Sequence, residues 1–406
     1  MHIVMIAPPW FPIPPPMYGG IEQVVFHLVE SLTSTGHQVT LFAPKGSETS
    51  ADLVPTSDFA AGLDMKETEK AFINEAAGHR AYAIAAELGV DIIHDHTDYV
   101  YAGRVSAPII RTVHGPVTDE AVERYRQMTR RGDRFIAISH RQRQLFEQAA
   151  AIRWGLESSI AFVGVIHNPI DVARTPFYPT EAKEDYVAFV GRCHWEKGPD
   201  HAIEVARDAG VRLKLAMRVS KPEKLYFSNV VKPLLDANSG LVEFVGELGG
   251  LQRDELYGKA RALIFSSIWE EPFGLTMAEA LAHGTPVAAL RRGAAPEIVD
   301  DGVTGALCED YAGMAAALPR VMTMDPAACR SAAMARFDRD SIVHQYIGQY
   351  RLAINAWVAN TSRPYTLPAL SGPPAKELKI LTFSLDDDAP INGRKPSPGT
   401  VIGRVK

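Results

Sequence analysis

Cysteine is scarce in this 406-residue chain, and the three present, Cys193, Cys308 and Cys329, are widely separated with no CxxC pair. That spacing excludes a disulfide framework and a cysteine-based metal site, and implies reduced thiols in a cytoplasmic protein. No charge-free apolar run reaches the roughly 18 residues of a membrane-spanning helix. Met1–Ile6 carries no basic leader and reads as a buried strand rather than a signal peptide. Positive charge is not in excess: 42 Lys and Arg against 48 Asp and Glu leave −6, which argues against nucleic-acid binding through bulk charge. With 22% charged and 46% hydrophobic residues, the composition is that of a folded soluble protein. At roughly 150 residues per domain, the length predicts two large domains plus something extra.

Short apolar runs alternate with helical patterns through the first half. Strands are expected at His2–Ala7, Val39–Ala43, Asp91–His94, Ile109–Val113, Phe135–Ile138 and Ala161–Ile166. Between them, Ile21, Val24, Val25, Leu28, Val29 and Leu32 recur at helical spacing, and a second helix is expected near Asn74–Leu88. Residues 169–185, polar and proline-punctuated, read as a linker. The alternation then restarts, with strands near Tyr186–Val190, Arg212–Met217, Val242–Val245, Ala262–Phe265 and Pro286–Leu290. This gives an α/β protein with two Rossmann-like domains facing across a cleft: residues 1–168 and 186–339, a returning helix at 340–358, and a flexible Pro-rich tail at 359–406. Such a pair should hinge around a ligand.

Two segments could carry chemistry. Gly191-Arg192 and Lys197-Gly198 follow the second unit's first strand, where open α/β sheets bind ligands, and Pro199 opens a helix. Two cations beside a helix start suit a diphosphate; the alternative is an ordinary turn with solvated cations. Further on, Glu271 and Glu279 lie eight apart, with Pro272 and Gly274 between them. Glu271 is therefore placed on a loop and Glu279 one turn into a helix, with main-chain N–H groups of Phe273, Gly274 and Leu275 at its start. Carboxylates in this arrangement accept paired hydrogen bonds from vicinal sugar hydroxyls.

These pieces, in this order, resemble the retaining glycosyltransferases of family 4, which have the GT-B fold. The likeness continues through Ala280–Val287, Gly293, Pro296–Val299 and Asp301–Gly305. In the first half it rests on Tyr18–Glu22, Ile92–His96, Thr112–Gly115 and Asn168–Asp171, so that it spans roughly residues 1–358. The resemblance implies a nucleotide-sugar donor. Arg192 and Lys197 would hold its diphosphate, with Gly19 and Gly20 facing it from the other domain. Glu279 would take the ribose, and Gly246, Glu247 and Leu248 the nucleobase. Glu271 would sit on the transferred sugar beside the backbone of Phe273, Gly274 and Leu275, and His114 near the reaction centre. It also implies a UDP-sugar ahead of a GDP-sugar, and retention by a front-face reaction with Glu271 orienting the sugar. One departure is Arg218-Val219-Ser220-Lys221, where the family often has a glycine-bearing turn; Arg218 and Lys221 are candidates for phosphate contacts.

No metal or other cofactor is expected, because two cations near 4 Å at an effective dielectric of about 20 each supply up to roughly 4 kcal/mol to a departing diphosphate. His94-Asp95-His96 puts two histidines on one strand face, yet no third ligand at suitable spacing accompanies them. The acceptor is not legible. Seven arginines between Arg124 and Arg143 suit an anionic acceptor or weak contact with a membrane surface, but solvated arginines on helix backs are the favoured reading. Trp10 and Phe11 sit in a stiff loop expected to border the acceptor cleft, the alternative being that it only braces the Gly19-Gly20 turn. Rival readings are a GT-B epimerase or phosphorylase, and a non-catalytic nucleotide-sugar-binding protein.

Overall fold

A computed structural model describes residues 1–155 and 160–361. The Pro-rich tail beyond 361 lies outside the described residues. Among the described residues, thirteen strands form two wholly parallel sheets. The first contains β1 (His2–Ile6), β2 (Gln38–Ala43), β3 (Asp52–Pro55), β4 (Ile92–Asp95), β5 (Ile109–Val113), β6 (Arg134–Ala137) and β7 (Phe162–Val165), in the order β3-β2-β1-β4-β5-β6-β7. The second contains β8 (Val187–Arg192), β9 (Leu213–Arg218), β10 (Val242–Gly246), β11 (Ala262–Phe265), β12 (Val287–Leu290) and β13 (Gly305–Cys308), in the order β10-β9-β8-β11-β12-β13. Each order reverses beside its first strand, so crevices open past the carboxyl ends of β1 and β4 and of β8 and β11.

Strand alternation builds the cores. Val187 and Phe189 enter one apolar layer with Leu213, Leu215 and Ile264, while Ala188 enters the opposite layer with Ala216, Leu263 and Phe265. Each such Val, Leu, Ile or Phe side chain contributes about 1.5–3 kcal/mol when fully buried. The last helix, Arg339–Thr361, returns to the first sheet, where Ile342, Val343, Tyr346, Ile347 and Tyr350 join the layer of Ile3, Met5, Val24 and Leu28.

Elements without a strong apolar period escaped the sequence reading. β3 is a four-residue edge strand ending in Pro55 and only half-buried. β13 is built of Gly305, Ala306, Leu307 and Cys308, small because a Cβ at Gly305 would meet the Val287 carbonyl oxygen at 2.0 Å. The helix Pro326–Phe337 is rich in alanine, and the helix expected from Asn74 starts at Glu67. The segment read as a linker is not loose. Ile170 N–H donates to Phe337 O at 2.8 Å and Arg339 N–H donates to Ile170 O at 2.9 Å, so the two crossings between the sheets are bonded to each other.

β4 buries polar groups on both faces. On one, Arg111 donates from Nη1 to Asp95 Oδ2 at 2.5 Å, from Nε to Asp133 Oδ2 at 2.6 Å and from Nη2 to the Tyr82 hydroxyl at 2.9 Å. On the other, His94 and His96 have ring centroids 4.1 Å apart. His94 is bonded to Tyr350 and Thr112, and His96 Nδ1 lies 2.8 Å from His114 Nε2. The donor atoms of the His94-Asp95-His96 triplet are thus taken up by protein partners, and among the described residues no group of three His, Cys, Asp or Glu is arranged to hold a metal ion.

Replacing Arg111 by Met should cost about 3–5 kcal/mol, because Asp95 and Asp133 would remain buried without their counter-charge. A urea denaturation midpoint unchanged from wild type would contradict this. A pH effect follows from the histidines. Burial pushes His94 and His114 down to about 3, as it does His27, and His96 well below its ordinary value. Below about pH 6.5 the unfolded chain takes up protons at these sites and the native one does not, so stability falls with pH, by up to about 1.4 kcal/mol per unit and histidine. Buried Glu22, raised to about 7, acts oppositely between about pH 7 and 4.5 but is outnumbered. The urea midpoint should therefore drop between pH 7.5 and 5.5, and His94→Gln should flatten the slope.

Candidate active site

The crevices of the two sheets share one cavity of about 460 Å³. Its second-domain wall starts at β8. Gly191 and Arg192 end that strand, and Lys197 precedes Gly198, whose φ of +65° turns the chain into the helix Pro199–Ala209. A side chain at Gly198 would strike the Ser266 carbonyl oxygen, 2.7 Å from the Cβ position, so glycine lets the loops after β8 and β11 touch. That contact brings Lys197 Nζ to Glu271 Oε2 at 2.5 Å. Trp269 Nε1 donates to the same oxygen at 2.6 Å, and the Lys197 ammonium lies 4.8 Å from the Trp269 ring centroid. Glu271, 9% exposed, is therefore gripped through one oxygen by two donors.

Gly274, with φ +89°, starts the helix Leu275–Ala282, and a Cβ there would lie 2.5 Å from Met277 Cε. Phe273 turns its ring into the core beside His167 and Phe337, so the backbone is the part of this segment suited to the cleft. One turn into the helix, Glu279 accepts from the Tyr257 hydroxyl at 2.9 Å, and its other oxygen lies 3.8 Å from Arg253 Nη2.

The first domain closes the cavity with the loop after β1 and the start of the helix Gly20–Ser34. Gly20 lies against Leu275, a Cβ on it coming within 3.0 Å of Leu275 Cδ1. His114, after β5, reaches the cleft while bonded to His96. Glu22 lines the cavity wall with Oε1 buried and unpartnered among the described residues.

Twelve sequence-predicted residues therefore meet on one cavity: Gly19, Gly20, His114, Arg192, Lys197, Glu247, Leu248, Glu271, Phe273, Gly274, Leu275 and Glu279. Gly246 does not line it; it is the last residue of β10, one position short of the cleft. Arg218 lines the cavity but is occupied by the first domain, its guanidinium 5.6 Å from the ring centroids of both Phe11 and Tyr18 and 3.7 Å from Asp64. Lys221 is not among the lining residues. Sequence reasoning missed Trp269, Tyr257, Arg253 and Glu22. The i, i+4 spacing of Arg253 and Tyr257 on the helix Gly250–Lys259 was a usable signal for those two. Of the seven arginines, four have ionic partners: Arg124 with Asp98, Arg126 with Glu123, Arg141 with Glu270 and Arg143 with Glu147. No described helix is long and apolar enough to cross a membrane.

Residues 18–174 match the profile described as Glycosyltransferase Family 4, and residues 175–334 match Glycosyl transferases group 1. A glycogen synthase of Mycobacterium tuberculosis H37Rv is 29% identical over 84% of this chain and 90% of its own length. A D-inositol 3-phosphate glycosyltransferase of Mycolicibacterium smegmatis is 27% identical over 85% and 89%. Among solved structures, a glycosyltransferase of avilamycin A biosynthesis is 25% identical with a TM-score of 0.64, over 87% of this chain and 98% of that one. The sucrose-phosphate synthase of Thermosynechococcus elongatus shares the fold at a TM-score of 0.68 and 22% identity, over 87% and 99%. With both halves matched and two parallel α/β domains enclosing one cleft, the chain belongs to the group 1 glycosyl transferases of GT-B fold, enzymes that transfer a sugar from a nucleotide-sugar donor.

Proposed function

We propose that this enzyme moves a hexose from a nucleotide-diphosphate sugar, UDP-sugar ahead of GDP-sugar, to an acceptor hydroxyl, with retention at the anomeric carbon and without a metal ion. The supporting observation is the convergence of Arg192, Lys197, the N-terminus of Leu275–Ala282, Glu271 and Glu279 on one cavity. In this reading the diphosphate lies against the two cations and the free N–H groups of the helix start, where negative charge grows as the glycosyl bond breaks. A cation expressing half of its roughly 4 kcal/mol only in the transition state gives about 2 kcal/mol, or about thirtyfold in rate.

Glu279 has one oxygen on Tyr257 and the other 3.8 Å from Arg253, and in this reading that second oxygen takes the ribose. Glu271 orients the sugar. An oxygen already accepting from Lys197 and Trp269 is a weakened nucleophile, which favours positioning over covalent catalysis. His114 is neutral at working pH with Nε2 on His96, which leaves its other ring nitrogen for a sugar hydroxyl. Glu247 and Leu248, beside the turn after β10, border the nucleobase. Uridine is set ahead of guanosine on donor frequency within the family; the carboxylate pair does not discriminate between them.

Calorimetric titration with UDP, GDP, ADP and TDP, with EDTA throughout, tests the donor site. Micromolar binding of one nucleotide, lost in Arg192→Ala, is expected; binding of none would return the non-catalytic reading. Glu271→Ala should abolish transfer, and full activity in that variant would remove the sugar-site assignment. Lys197→Ala should weaken nucleotide binding and turnover together, whereas His114→Ala should lower turnover more than nucleotide affinity.

A further inference from the structure

A second cavity, of about 570 Å³, opens beside the donor cleft, and Trp269, Glu271 and Pro272 line both. Its other wall is the helix His140–Trp154 of the first domain. That helix turns Gln142, Phe146 and Ala150 into the core. Leu145, Ala149 and Ile152, spaced i, i+4 and i+7, form a separate apolar stripe along the groove, and Ile152 is 88% exposed.

The charges of this groove are one-sided. Glu196, Glu270 and Glu271 line it, and Arg141 is the one cation among the described lining residues. Three of its five N–H donors are engaged. Nε and Nη2 donate to the two Glu270 oxygens at 2.8 and 2.9 Å, and Nη1 donates to Gln144 at 3.0 Å. The next arginines on the helix, Arg143 and Arg153, are paired with Glu147 and Asp119. A phosphate or carboxylate entering here meets three carboxylates against one cation that is already paired with Glu270. A neutral ligand with a hydrocarbon part instead removes the exposed stripe from water.

We propose that this groove is the acceptor subsite and that it takes an uncharged amphipathic acceptor. The hydroxylated head lies at Trp269 and Glu271, and the hydrocarbon part lies on Leu145, Ala149 and Ile152. The assignment rests on the glycosyl-transfer reading above. In the transfer, the acceptor oxygen bonds to the anomeric carbon as the bond from that carbon to the β-phosphate oxygen breaks, and the hydroxyl proton leaves with the nucleoside diphosphate. The groove's volume lies within the roughly 300–1,000 Å³ of small-molecule sites.

The test uses the full chain with UDP present. Octyl β-D-glucoside below its micellar concentration, glucose and glucose 6-phosphate are titrated separately by calorimetry. Octyl glucoside should bind about tenfold or more tighter than glucose, and glucose 6-phosphate no tighter than glucose. Ile152→Asp and Leu145→Asp should each weaken octyl glucoside about tenfold while leaving UDP affinity, which reports the intact fold, unchanged. Tighter binding of glucose 6-phosphate, or octyl glucoside binding indifferent to both variants, overturns the groove while the donor site stands. Failure of the wild type to bind UDP or any of GDP, ADP and TDP brings down the transfer reading and the acceptor assignment with it.

Discussion

Two stretches of chain cross between the sheets, and their bonds to each other are the constraint on which the cleft depends. Ile170 and the Phe337–Arg339 segment exchange backbone hydrogen bonds, and Arg339 Nη1 lies 2.9 Å from Asp171 Oδ2. Because the crossings are paired, the carboxyl ends of the two sheets are held face to face, with the loops after β1 and β5 opposite those after β8 and β11. Two backbone hydrogen bonds and the Arg339–Asp171 ion pair join the crossings. Neither crossing carries a cleft-lining carboxylate or cation, so the charged groups sit on the rims that the crossings bring together.

Within the second rim, the chemistry depends on close approach more than on charge alone. Gly198 lets the loop after β8 reach Ser266, and only then can Lys197 meet Glu271. A lysine left in water would be a mobile cation with several rotamers to lose on binding. Here its ammonium is fixed between a carboxylate and an indole before any ligand arrives, so part of the ordering cost is met during folding. Glu279 is treated alike by Tyr257 and Arg253. Lys197 and Trp269 share one Glu271 oxygen, whereas the two Glu279 oxygens face Tyr257 at 2.9 Å and Arg253 at the longer 3.8 Å.

How much of this was legible depends on what each residue does. β8, β9, β11 and β12 announced themselves because buried parallel strands are short apolar runs, whereas β3 and β13 are shaped by an edge position and by a backbone contact that leave no apolar signature. Lys197, Glu271 and Glu279 were readable from spacing around helix starts. Trp269, Tyr257 and Arg253 were not given roles, because their part is to hold those residues and such contacts exist only after folding. Glu22 lay inside a recognised motif, yet its burial with one oxygen unpartnered could not be read from the chain. In the arginine-rich stretch, four of seven are answered by acidic partners: Arg126 and Arg143 by neighbours one helical turn away, Arg124 and Arg141 by residues that only the fold brings near.

The loop bearing Glu271 also belongs to both domains. Glu270 is gripped by Arg141 of the first domain while the next residue, Glu271, is gripped by Lys197 of the second. Close by, Glu297 accepts from the backbone N–H groups of His140 and Arg141 at 2.8 and 2.7 Å, so a carboxylate of the second domain caps a helix of the first. The Arg141–Glu270 pair is more than a third exposed on both sides, and pairs of that kind contribute only about 0–1 kcal/mol. A helix cap adds about 1 kcal/mol more. Contacts this weak align the rims without locking them, since a few kcal/mol is less than a bound nucleotide of micromolar affinity supplies. Because Glu270 and Glu271 are neighbours, any opening that parts Arg141 from Glu270 must also disturb Glu271, the carboxylate proposed to orient the sugar. The contact between the domains and the position of Glu271 are therefore coupled through a single peptide unit.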